Sequence, residues 1–117
     1  MNKLTRLLAG GIAALAMIGA AAAATDESSV TQAQIEAAQT ADQHEAIART
    51  YEEEAAAAER RAEGHAKMAQ TYRHAYSKTP RASMATHCEG LEKAYRSAAA
   101  EYRKLAEEHH QMAVDAR

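Results

Sequence analysis

His65, Met68, Met84, His87 and Cys88 bring two imidazoles, two thioethers and one thiol together in a short stretch of this 117-residue chain. Thiolate and thioether donors select soft ions, Cu(I) above all, whereas hard cations want oxygen. Zinc accepts His and Cys but gains little from Met. On helices the spacings are favourable: Met68 lies three residues after His65, and Met84 four before Cys88, so each pair shares a face. The H-x-x-M spacing recurs at His109 and Met112, and with His44 these form a weaker second candidate site without a thiol. The residues therefore point to a soft-metal protein, with copper as cargo or cofactor, serving buffering, delivery or tolerance.

Two other chemistries compete for the same residues. Cys88 is the only cysteine, so no intramolecular disulfide can form. In an exported protein a lone thiol either links two chains or is kept for chemistry. The alternative function is accordingly a structural or interaction protein whose helices pair with a second copy or a partner helix, with Cys88 as an inter-chain disulfide. A third reading makes Cys88 an axial haem ligand. The chain has no C-x-x-C, H-E-x-x-H or C-x-x-C-H motif and no serine beside a seam histidine, so we do not expect an enzyme.

These side chains must be positioned by helices, because no alternating strand pattern occurs. Two seven-residue ladders run along the sequence: His44, Tyr51, Ala58, His65 and Tyr72, then Cys88, Tyr95, Tyr102 and His109. Folding the chain back near Ser77 sets His44 opposite His109, Tyr51 opposite Tyr102, Ala58 opposite Tyr95 and His65 opposite Cys88. A second layer is expected in the same register, with Ala48 facing Leu105, Ala55 facing Ala98, Ala62 facing Leu91 and Ala69 facing Met84. Such layers define an antiparallel coiled coil in which small residues meet large ones. The fold class is all-α, an antiparallel helical hairpin with a short N-terminal helix, dimerising into a four-helix bundle because so alanine-rich a core stabilises a lone hairpin poorly.

Local signals set the boundaries. Thr31 with Gln34 and Thr40 with Gln43 have capping-box spacing, predicting a short helix near residues 32–40 and a long one over 41–76. Ser77-Lys78-Thr79-Pro80 is the break. Thr79 is the expected N-cap, with Pro80 in the first turn of a second long helix over 81–114. Glu45–Arg49, Glu63–Lys67, Glu89–Lys93 and Glu92–Arg96 have the spacing of favourable i,i+4 pairs. Gly64 and Gly90 interrupt strong helix formers beside the His65–Cys88 layer, either as tolerated drift or to relieve crowding where larger groups or a ligand need space.

The first 24 residues read as a secretory signal: Lys3 and Arg6, an apolar run over 7–18, and Ala22-Ala23-Ala24 as cleavage site. The domain plan is residues 1–24 as signal, 25–40 as tether and short helix, and 41–117 as the hairpin. The expected location is periplasmic or secreted, with no membrane contact after cleavage. Loss of Lys3 and Arg6 from the 14 basic residues leaves 12 against 16 acidic ones. That balance disfavours nucleic acid, which rewards clustered Lys and Arg.

Overall fold

A computed structural model describes residues 29–79 and 81–117. The predicted signal over 1–24, the first part of the tether and the role given to Pro80 lie outside the described residues. The described chain forms three helices, α1 (Gln32–Ala37), α2 (Ala41–Tyr76) and α3 (Ser83–Asp115). The two long helices pack against each other as a hairpin. Among the described residues, no helix is long and apolar enough to cross a membrane.

Both capping boxes form as the sequence requires. The Thr31 hydroxyl accepts from the Gln34 amide, and the Gln34 side chain returns to the Thr31 amide. Thr40 and Gln43 repeat this at the start of α2. At the turn the outcome differs from expectation. Helix α3 starts at Ser83 behind Ala82, which provides no side-chain cap. Thr79 instead braces the turn: its hydroxyl donates to the Tyr76 carbonyl at 3.0 Å and accepts from the Arg81 amide at 3.2 Å. An amide donor two residues on is as good a partner for a threonine hydroxyl as a helix start, so the turn takes the group the helix was expected to use.

The register of the first layer is visible in two ring pairs. His44 lies against His109, with ring centroids 5.3 Å apart, and Tyr51 against Tyr102, at 6.2 Å. Each step of seven up α2 is matched by a step of seven down α3. Long side chains also reach the neighbouring layer, since Tyr51 touches His109 and His65 stacks on Tyr95. Helical side chains tilt toward their own N-terminus. In an antiparallel pair that tilt lets a long side chain also meet the residue one heptad beyond the one directly opposite.

The second layer is rotated by one residue on α3. The buried column there is Ala85, Ala99, Ala106 and Ala113, not the expected Met84, Leu91, Ala98 and Leu105. Leu91 and Leu105 are 44% and 41% exposed, whereas Ala48, Ala62, Ala99 and Ala113 are at 0%. Both columns on α3 are apolar and adjacent, so hydrophobic periodicity alone does not choose between them. Small residues on both helices let the axes approach closely, and this in turn brings the Tyr and His rings into contact. Glu92, the one charged member of the alanine column, keeps its carboxylate on Arg96 at 3.0 Å.

One flank of the seam is ionic. Arg73 pairs with Glu89, Arg103 with Glu59 at 2.6 Å, and Arg117 with Glu45 at 3.4 Å, while His110 bridges Glu45 and Glu52. Glu63–Lys67 and Glu92–Arg96 form within helices as expected. Glu45 and Glu89 instead face across the hairpin, where close helices offer them a partner. At the open end Val30 and Ala38 pack on a cluster of Ile47, Tyr51 and Ala106.

Candidate functional site

The loop-end residues occupy three different environments. Cys88 is a free thiol, 8% exposed in the seam. His65 is half-buried, and its ring lies nearly parallel to Tyr95, 5.6 Å away. Its Nδ1 atom is buried with no hydrogen-bond partner. Met84 is half-buried, while Met68 and His87 are exposed. The tilt described above sends His65 toward the open end and Cys88 toward the loop, although the two share one level of the register. Among the described residues, no group of three or more His, Cys, Asp or Glu is placed to hold a metal ion.

The two glycines do not mark a crowded spot. A Cβ built at Gly64 or Gly90 meets nothing within 4 Å, so neither is required by a close approach inside the hairpin. Neither glycine relieves crowding between the hairpin's own residues.

At the open end two of the expected residues do meet. The Nδ1 atoms of His44 and His109 are 3.1 Å apart. One of the two must donate its proton to the other's lone pair, so the contact exists only while at least one ring is neutral. Burial, and then the charge of His44, hold the His109 pKa below its ordinary value. Met112 follows one turn later but is 44% exposed. His110, beside them in sequence, is engaged elsewhere: Nδ1 contacts Glu45 and Nε2 contacts Glu52, each at 2.9 Å. Its pKa is raised, chiefly by the hydrogen bond to Glu52, against a smaller opposing effect of burial.

The surface that sequence reasoning misplaced is the flank opposite the ion pairs. There Met84, Leu91, Ala98, Leu105 and Met112 form one heptad column along α3. Leu91, Leu105 and Met112 are all more than two-fifths exposed, as is Met68 on α2. Glu54, Ala57, Arg61, Tyr95 and Ala98 line a shallow groove midway along this flank, where the Arg61 guanidinium sits 5.8 Å from the centre of the Tyr95 ring. The apolar column is visible in the sequence, but its periodicity alone points it toward the interior. Exposed apolar columns on a small helical protein mark contact surfaces. No protein-family model, curated protein or solved structure matches the chain.

Proposed function

We propose that this chain is an exported helical-hairpin interaction protein, whose activity is to pair its apolar flank with another helical surface. The observation that carries this reading is the exposure of Leu91, Leu105 and Met112 in a single column of α3, beside a seam already closed by alanine. A lone hairpin gains nothing from leaving these side chains in water, whereas a docked helix would remove them from it at ~25 cal/mol per Å² of apolar surface. The ionic flank has its charges matched within the hairpin and offers no comparable demand for a partner. Pairing in this way does not use Cys88, whose thiol is turned into the hairpin's own seam. The test is the double substitution Leu91→Glu/Leu105→Glu, followed by circular dichroism and sedimentation. Helix content should be unchanged and association lost. Undiminished association would refute the reading.

A second reading, binding of a soft metal such as Cu(I) for buffering, delivery or tolerance, draws support from the His44–His109 contact. Two imidazole nitrogens bound to one tetrahedral ion lie roughly 3.3 Å apart, close to the 3.1 Å between these Nδ1 atoms. The free thiol of Cys88, with Met84, Met68, His87 and His65 nearby in sequence, is the second candidate ligand. Cu(I) titration under reducing conditions separates the two sites. His44→Ala removes the first and Cys88→Ser the second, and unchanged affinity in the combined variant excludes both.

A further inference from the structure

The apolar flank has a symmetry that selects its occupant. Along α3 it reads Met84, Leu91, Ala98, Leu105, Met112, a palindrome centred on Ala98. Along α2 the corresponding column reads Ile47, Glu54, Arg61, Met68, again apolar at both ends, with opposite charges either side of the midpoint. The two centres lie at one height, because Glu54, Ala57, Arg61 and Ala98 line the same groove. A surface that is palindromic along α3 and charge-complementary on reversal along α2 is self-complementary under a two-fold axis.

Resting on the interaction reading above, we propose that the occupant is a second copy of this chain, laid face to face and reversed end for end across a two-fold axis that passes Ala98. The axis lies in the interface, perpendicular to the helices. Each α3 then crosses its counterpart antiparallel, placing Leu91 against Leu105 of the partner subunit and Met84 against Met112 of the partner subunit. On the α2 side Glu54 meets Arg61 of the partner subunit, and the reverse. The opposite arrangement, with α2 over α3, would press Glu54 and Arg61 onto apolar side chains. Burying charge without a partner is unfavourable, so that arrangement is rejected. At the ends, Met68 meets the surface where the partner's Val30 and Ala38 pack on the cluster that includes the partner's Ile47. The face spans 28 residues and two helix widths, about 42 Å by about 20 Å, or ~800 Å² per copy, which is the usual size of a stable interface. The product is an antiparallel four-helix assembly with its ionic flanks outward.

The experiment places a photo-crosslinking residue, benzoylphenylalanine, at position 98 of the full chain in its native host, with position 100 on the outer face as control. The proposal expects an adduct of twice the chain mass from position 98, at least tenfold stronger than from position 100. Adding Leu91→Glu and Leu105→Glu should abolish it. An adduct of a different mass that the same two substitutions abolish would overturn the second copy as occupant while leaving the interaction reading standing. No adduct at position 98, or equal adducts from 98 and 100, would overturn both.

Discussion

The rotation of α3 by one residue makes a prediction opposite to the one hydrophobicity suggests. Were Leu91 a core leucine, Leu91→Ala would destabilise by roughly 2–5 kcal/mol. Its side chain is instead 44% exposed. Three carbons at ~0.8 kcal/mol each, only about half of that burial being present, give an upper figure near 1 kcal/mol. The better helix propensity of alanine offsets part of it. Ala99, by contrast, is 0% exposed between the two helices. Ala99→Leu forces three further carbons into a closed seam, and overpacking of this kind costs about 1–3 kcal/mol. For a domain of this size that lowers the melting temperature by roughly 5–20 °C. The assay is urea unfolding followed by circular dichroism, at a dilution where the protein is monomeric, so that association does not add to either number. Leu91→Ala should be the milder change and Ala99→Leu the severe one. The reverse order would show that the leucine column lies in the seam, and the apolar flank with both proposals built on it would fall.

Three further outcomes are expected. On acidification the two C-terminal histidines act in opposite senses. His109 is held below 6.5 when folded, so stability is lost as the pH drops below that value and the unfolded chain takes up the proton first. His110, raised above 6.5, contributes fully below that value and fades as the pH rises through its folded pKa. His110→Gln should therefore make the melting temperature fall more steeply between pH 7 and pH 5, and a slope equal to wild type would contradict the assignment. Gly90→Ala should stabilise by about 1 kcal/mol, since the position is helical, exposed and open; a loss of stability would mean that something packs against it. Thr40→Ala should lower stability by ~1 kcal/mol through loss of the cap on α2, and an unchanged denaturation midpoint would show that the start of α2 is frayed.

Much of this molecule was legible from spacing alone. Heptad ladders and capping boxes are local or periodic features, and they set the helix boundaries at Thr31 and Thr40 and the pairing of His44 with His109 and Tyr51 with Tyr102. The start of α3 was not legible, because a threonine beside a turn can serve either the helix or the turn, and only the folded backbone shows which amide lies within reach of its hydroxyl. Nor was the charge pairing of Glu45 and Glu89, since a sequence displays i,i+4 neighbours but not the arginine or histidine that a second helix brings alongside. The placement of the loop-end candidate ligands turned on side-chain tilt, which sends His65 onto Tyr95. Above all, α3 carries two adjacent apolar columns about 100° apart, and periodicity weighs them almost equally. Tertiary packing decided between them: alanine on both helices allows the closest approach of the axes, and that closeness leaves the larger Leu and Met column outside.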